Sequence, residues 1–115
     1  MPFFVFKSID LESIGAGSTV EKTWTSDDDY ILKRMYIIET SETAVGLQFL
    51  KVTFWIDNTP YVKDFVNAKV FEGYKNQQVE LNLPLSKGKT FKISVSNIHS
   101  TSAISAHLVL ELWKE

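Results

Sequence analysis

Apolar and polar residues alternate with a period of two through every long segment of the chain. The clearest case is the segment 103–113, and residues 90–98 repeat the pattern. A period of two is typical of a β-strand that buries one face, whereas an amphipathic helix repeats about every 3.6 residues. The sequence therefore predicts an all-β protein. The residues expected on the buried faces of these two strands are Phe91, Ile93, Val95, Ile104, Ala106, Leu108, Leu110 and Leu112.

Turn-forming residues divide the chain into about eight strands at regular spacing. The predicted strands cover residues 3–9, 19–25, 30–39, 47–56, 61–66, 77–83, 90–98 and 103–113, with a short further piece at 68–72. The breaks lie at 13–18, 27–29, 41–46, 57–60, 73–76, 84–89 and 100–102. This arrangement predicts an antiparallel two-sheet sandwich, most simply a jelly roll. An immunoglobulin-like sandwich, whose Cys…Trp…Cys framework is absent, and a closed barrel are the alternatives.

Length, charge and composition narrow the possible functions. A chain of 115 residues fits one domain, placed here over 1–115. Its net charge is −2 and Arg34 is its one arginine, which argues against a partner bound through phosphates, so we expect no nucleic acid. The sequence has no cysteine, no basic leader and no apolar run of about 20 residues. We therefore expect no signal peptide and no membrane span.

Few residues of the sequence are candidates for catalysis or metal binding. His99 and His107 have serines nearby, but no nucleophile-elbow motif accompanies them. We predict no catalytic residue, no enzymatic activity and no cofactor. The run Asp27, Asp28 and Asp29 could ligate a hard cation, yet it lacks the spaced carboxylates of a calcium loop. A solvated turn is the favoured interpretation of this run, and a metal site is the alternative.

Aromatic residues make up 13% of the chain, and several fall on the polar side of a predicted strand. The predicted core face of the segment 47–56 consists of Leu50, Val52, Phe54 and Ile56. In this segment, Leu47, Phe49 and Trp55 lie on the face opposite the predicted core face. An exposed apolar patch of this kind marks a contact surface. We therefore expect a homo-oligomer that Trp55→Lys shifts toward monomer. The candidate interface or binding residues are Trp24, Tyr36, Leu47, Phe49 and Trp55.

Three segments together resemble a known family. They are residues 17–25, residues 30–38 after the acidic turn, and the late strand 106–113. This arrangement resembles the small single jelly-roll structural or accessory proteins of bacterial and archaeal viruses. The resemblance implies a structural or virion-associated role, a location in the virion or the host cytoplasm, and no catalytic residues. The long basic arm with which many capsid proteins hold their genome is missing, which argues against a major coat protein, and the sequence does not decide among a major coat, a minor coat and an accessory protein.

Two functions follow as expectations. The first is a non-enzymatic structural protein that associates with further copies of itself or with other structural proteins, because strands 30–38 and 47–56 are apolar on both faces. The alternative is a carbohydrate-binding module in which Trp24, Tyr36 or Trp55 stacks on a sugar ring.

Overall fold

β-Strands and two short 3₁₀ helices form the regular structure of residues 3–73 and 79–114, which are those that the computed structural model describes. The 3₁₀ helices cover Leu47–Phe49 and Ala68–Phe71. The all-β prediction is confirmed. The strands are β1 (Phe3–Ile14), β2 (Thr19–Thr25), β3 (Tyr30–Glu39), β4 (Leu50–Ile56), β5 (Thr59–Pro60), β6 (Val66–Asn67), β7 (Leu83–Leu85), β8 (Thr90–Asn97) and β9 (Ile104–Lys114).

The strands form two antiparallel sheets that pack against each other. The first sheet has the order β1-β9-β3-β7, and the second has the order β2-β8-β4-β5, with β6 also paired to β4. Along the chain, β1 lies in the first sheet, β2 in the second, β3 in the first and β4 in the second. Strands β7, β8 and β9 continue this alternation. Such a path through two antiparallel sheets is the jelly-roll connectivity, and the predicted sandwich is confirmed.

A single apolar core lies between the two sheets. Every residue predicted on the buried faces of β8 and β9 is buried, as are Leu50, Val52, Phe54 and Ile56 of β4. The period of two thus identifies the inward face of these strands correctly. Burial of one such side chain contributes about 1.5–3 kcal/mol, so this alternation is the main source of stability.

A β-bulge in β3 reverses part of the predicted alternation. The register of β3 against β9 shifts between Leu32 and Arg34, which leaves Lys33 as the additional residue. Tyr30 and Leu32 therefore pack toward the core, while Arg34 lies on the outer face opposite Glu111. An uninterrupted period of two over residues 30–39 predicts that Tyr30, Leu32 and Arg34 share one face, and this prediction is wrong because a bulge shifts the side-chain direction by one residue.

The segment 47–56 is not one strand. Its first three residues form a 3₁₀ helix, and β4 begins at Leu50. Gly46, with φ of 126°, adopts a backbone conformation that favours glycine and admits this turn. The turn places Leu47 in the core at 5% exposure, so the predicted outward patch of Leu47, Phe49 and Trp55 is wrong.

Other predicted boundaries also change. β1 continues to Ile14 rather than ending at residue 9, because its alternation persists through Leu11. Of the predicted strand 61–66 only Val66 lies in a strand, β6, while β5 covers Thr59–Pro60 within the predicted break 57–60, and the piece 68–72 is largely a 3₁₀ helix. In the predicted strand 77–83, residues 79–82 are irregular and β7 begins at Leu83. Residues 77 and 78, and most of the predicted break 73–76, lie outside the described residues.

Candidate functional site on the outer face of the first sheet

The five residues predicted to form an interface lie in different parts of the fold. Leu47 belongs to the core. Phe49 is half-buried beside the loop after β8, and Trp24 points inward from β2 toward the same core. Tyr36 lies on the outer face of the first sheet, whereas Trp55 lies on the outer face of the second. The structure therefore does not bring these residues together into one surface.

Trp55 has a polar environment. Lys92, its cross-strand neighbour on β8, holds its Nζ 4.6 Å from the centroid of the indole ring. A cation in this position is attracted to the ring and remains hydrated. The ring face that a sugar or a second copy would need is thus occupied by a charged side chain.

A different apolar surface lies on the outer face of the first sheet. Strand pairing aligns Phe4 of β1, Trp113 of β9 and Ile31 of β3 in one row, with Phe6 of β1 in the next. The Phe4 ring stacks on Trp113 with centroids 6.2 Å apart and meets Phe6 edge-on at 5.4 Å. All four side chains are exposed. We call Phe4, Phe6, Ile31 and Trp113 the aromatic face.

A buried carboxylate lies beside the aromatic face. Glu111 points outward from β9, yet it is only 7% exposed. Its Oε1 accepts a hydrogen bond from the Tyr36 hydroxyl at 2.6 Å. Its Oε2 accepts from Arg34 Nη1 at 2.9 Å and from Trp113 Nε1 at 2.6 Å. The second terminal nitrogen of Arg34, Nη2, donates to Glu80 at 2.6 Å.

The bulge in β3 makes this cluster possible. Because Lys33 is the additional residue, Arg34 lies directly opposite Glu111 and on the same side of the sheet. Tyr36 follows two residues later and therefore also points outward. The local irregularity of β3 thus directs a cation and a hydroxyl donor at one carboxylate.

The pKa values reflect this geometry. Burial acts to raise the pKa of Glu111, but the hydrogen bonds from Tyr36 and Trp113 and the charge of Arg34 outweigh it and lower that pKa. Burial, together with the hydrogen bond to the Glu111 carboxylate, raises the pKa of Tyr36. Glu111 is therefore held ionised and Tyr36 is held neutral, and the cluster is fixed in one protonation state near neutral pH.

Both histidines make local polar contacts. His99 Nδ1 accepts the backbone N–H groups of Thr101 and Ser102 at 3.1 and 3.0 Å, which stabilises the turn before β9. His107 lies on the exposed end of β9 with Nε2 3.3 Å from the Asp10 carboxylate. Within the described residues, neither ring is hydrogen-bonded to a serine hydroxyl.

Two of the three consecutive aspartates, Asp28 and Asp29, point to different partners. Asp28 forms an ion pair with Lys114 and accepts the backbone N–H of Asp29. The hydrogen bond from Lys114, followed by that from the Asp29 backbone, lowers the pKa of Asp28. Asp29 accepts the backbone N–H of Lys87 at 2.9 Å. Among the described residues no three acidic, histidine or cysteine side chains gather as metal ligands, and the arrangement matches the turn interpretation.

A cleft of about 540 Å³ opens next to the aromatic face. Tyr30 and Trp113 contribute aromatic walls, while Asp29, Lys33 and Ser86 contribute polar groups. Lys33 holds its Nζ 5.0 Å from the centroid of the Trp113 ring. The volume falls in the range of small-ligand sites, and its mixture of rings and polar groups is suited to a polar ligand.

Sequence reasoning missed Phe4, Phe6, Ile31, Trp113 and Glu111 as site residues. A sequence signal was available for Phe4 and Phe6. The uncharged run 3–6 is apolar at every position, so a strand here has apolar side chains on both faces and cannot bury all of them against one core. The role of Glu111 has no local signal, because Arg34 lies 77 residues away in the sequence.

No family model, no curated protein and no solved structure matches the chain. Within the described part of the chain, no helix has the length and apolar character needed to cross a bilayer.

Proposed function

We propose that the chain is a non-enzymatic structural protein that self-assembles through the aromatic face, in the manner of a virion-associated jelly-roll protein. The observation that carries the proposal is the exposed group of Phe4, Phe6, Ile31 and Trp113 beside a carboxylate that is already fully hydrogen-bonded. The viral part of the proposal rests on the jelly-roll connectivity together with the sequence resemblance.

The hydrogen bonds of Glu111 allow another protein to cover the aromatic face. A buried charge without partners costs several kcal/mol, so an interface over an unsatisfied carboxylate is unfavourable. Here Arg34, Tyr36 and Trp113 already satisfy it within one copy. A second copy can cover this face without supplying a counter-charge.

The occupant that we propose is a second copy of the same chain. The four residues of the aromatic face are uncharged, so charge within the face itself does not oppose the meeting of two copies, and Lys33 borders it with its Nζ 5.0 Å from the centroid of the Trp113 ring. The net charge of −2 gives weak long-range self-repulsion. A partner selected by charge would need a strongly charged patch, which the aromatic face does not provide.

Sedimentation velocity over a micromolar to millimolar series tests this proposal. We expect a concentration-dependent species heavier than the 13.1 kDa chain. Ile31→Lys, which places a charge within the aromatic face, is expected to reduce this species. Thr23→Lys is the matched control, because Thr23 is exposed on the second sheet. A wild-type protein that sediments as a monomer throughout the series contradicts self-assembly.

Carbohydrate binding is the second candidate, and the cleft beside Trp113 is the observation that favours it. Tyr30 or Trp113 can stack on a sugar ring while Asp29 and Ser86 accept or donate hydrogen bonds. Under this proposal the protein stays monomeric, and its tryptophan fluorescence changes on titration with oligosaccharides. Tyr30→Ala would weaken that response. A fluorescence signal that no oligosaccharide alters excludes this function.

A further inference from the structure

The two sheets have four edges, and their chemistry differs. β7 and β5 are very short and contain Pro84 and Pro60, while β2 carries the charged residues Glu21 and Lys22. Proline, charge and short length all hinder the pairing of an edge strand with another chain. The first four residues of β1, the run 3–6, contain neither a charge nor a proline. Over this run the edge lacks the features that discourage pairing at the other three, whereas charged residues follow farther along β1 at Lys7, Asp10 and Glu12.

The run 3–6 is apolar and accessible on both sides of the sheet. Phe3, Phe4, Val5 and Phe6 are 50%, 56%, 39% and 56% exposed. Alternate residues of a strand share a face, so Phe3 and Val5 point to the same side of the sheet as the buried Ile9. This is the core side, yet the second sheet does not cover them. A partner strand at this edge can therefore contact apolar side chains on both faces.

The backbone of Phe4 and Phe6 points toward the free edge. Ser105 O accepts the backbone N–H of Thr40 at 2.8 Å, which places the hydrogen-bonding groups of Ser105 on the β3 side of β9. Because this direction alternates along a strand, the odd-numbered residues of β9 bond to β3 and the even-numbered residues bond to β1. The even-numbered residues of β9 face the odd-numbered residues of β1 over 3–9. The N–H and C=O groups of Phe4 and Phe6 consequently point away from β9.

We propose that this edge pairs antiparallel with the same edge of a second copy, centred on Val5. The two first sheets then form one continuous sheet, and Phe4 and Phe6 exchange backbone hydrogen bonds with the partner's Phe6 and Phe4. This inference rests on the proposed self-assembly and identifies the contact through which two copies first associate.

Charge disfavours a pairing centred on Lys7 and is compatible with one centred on Val5. With Val5 opposite the partner's Val5, Lys7 lies opposite the partner's Phe3, and a lysine is favourable beside an aromatic ring. A centre at Lys7 would place two like charges directly opposite each other, which is destabilising. In the proposed register the two lysines are separated by the whole uncharged run. Phe4 then lies opposite the partner's Phe6, and aromatic cross-strand pairs are favourable.

The pairing joins the aromatic faces of the two copies. Phe4 and Phe6 lie at the edge of that face, so their rings meet those of the partner at the centre of the enlarged sheet. An edge of four residues per copy buries less than the roughly 1,200 Å² of a standard interface. We therefore expect a reversible dimer whose population depends on concentration.

A pair of substitutions at Phe4 separates strand pairing from simple ring contact. Phe4→Pro removes the ring and the N–H group at the free edge, while the bonds from β1 to β9 involve neighbouring residues and are retained. Phe4→Ala removes the ring and keeps the N–H. Because the two-fold arrangement doubles each lost bond, we expect Phe4→Pro to weaken dimerisation by about tenfold or more relative to Phe4→Ala. Circular dichroism establishes that both variants are folded.

Hydrogen–deuterium exchange of the wild type gives a second readout that needs no variant. The amides of Phe4 and Phe6 should gain protection as concentration rises, while the amide of Glu21 on the edge of the second sheet should not. Equal sedimentation of Phe4→Pro and Phe4→Ala, or exchange at Phe4 and Phe6 that is independent of concentration in an associating protein, overturns the edge pairing and leaves self-assembly intact. A wild type that remains monomeric overturns both.

Discussion

The two outer faces of the sandwich are built on the same strand geometry and carry opposite chemistry. The first sheet presents the aromatic face. The second sheet presents hydroxyl and charged side chains, and lysines lie over the rings on this side, Lys92 over Trp55 and Lys51 over Phe65. The outward residues of the paired strands β2, β8 and β4 are Thr19, Glu21, Thr23, Thr25, Thr90, Lys92, Ser94, Ser96, Lys51, Thr53 and Trp55.

The placement of charge explains why we assign different roles to the faces. On the second sheet, Lys92 lies over a ring and keeps that surface hydrated. On the first sheet, Arg34 and Glu111 neutralise each other at the base of the surface, and although Lys33 lies over Trp113, the rings of Phe4 and Phe6 remain 56% exposed. A sandwich needs apolar residues only on its inner faces. The aromatic face is therefore additional to the requirements of folding.

The largest expected effect comes from breaking the core that both faces share. Leu108 and Val109 are neighbours on β9, but Leu108 is fully buried and Val109 lies on the outer face. We expect Leu108→Ala to lower the free energy of unfolding by about 2–5 kcal/mol. Val109→Ala should cost less than about 1.5 kcal/mol, since its side chain is only partly buried. Chemical denaturation measures both, and equal costs would mean that the faces of β9 are assigned incorrectly.

Glu111→Gln tests whether the cluster on the first sheet stabilises the fold. The substitution keeps the shape but places an uncharged amide opposite Arg34, so we expect a loss of about 1–3 kcal/mol in the free energy of unfolding. Glu21→Gln on the exposed second face should change it by less than about 0.5 kcal/mol. A loss at position 111 no larger than that at position 21 would contradict the cluster geometry.

The pH dependence of stability gives a smaller effect with a defined sign. The folded-state pKa of Glu111 is lowered, so its contribution is fully present above the ordinary glutamate pKa and is lost as the pH falls through that value toward the folded one. The free energy of unfolding should decline more steeply with acid in the wild type than in Glu111→Gln. Parallel pH profiles for the two proteins would show that Glu111 is not held ionised by its partners.

The smallest expected effect concerns the contact between Lys92 and Trp55. Lys92→Ala removes the cation from the ring and should lower the free energy of unfolding by no more than about 1 kcal/mol. It should also increase quenching of tryptophan fluorescence by the neutral quencher acrylamide, because the Trp55 ring loses its cover. Unchanged quenching would indicate that Lys92 does not lie over the ring in solution.

The sequence predicted the sandwich and much of its core because alternation is a local signal. Phe54, Ile93, Leu108 and Leu110 follow from the period of two and are buried as expected. The bulge at Lys33 could not be predicted, since one additional residue leaves the composition of the strand unchanged.

The candidate site was harder to predict than the core. Tyr36 was singled out correctly as an outward residue, but its hydroxyl partner Glu111 comes from a strand 75 residues away. Leu47 and Phe49 were assigned by extending the alternation of β4 backward through a 3₁₀ turn. The sequence prediction thus places the contact surface on the second sheet, whereas our proposal places it on the first, and under this proposal Trp55→Lys, expected from the sequence to disrupt an oligomer, serves as a control.

The most direct test of the account compares Phe6→Lys with Trp55→Lys by sedimentation velocity beside the wild type. Both replace an aromatic residue by lysine, but Phe6 is exposed on the first sheet and Trp55 lies on the second. We expect the wild type and Trp55→Lys to associate equally as concentration rises, and Phe6→Lys to remain monomeric and folded. Association that survives in Phe6→Lys and is lost in Trp55→Lys would contradict the assignment of the first sheet as the assembly surface.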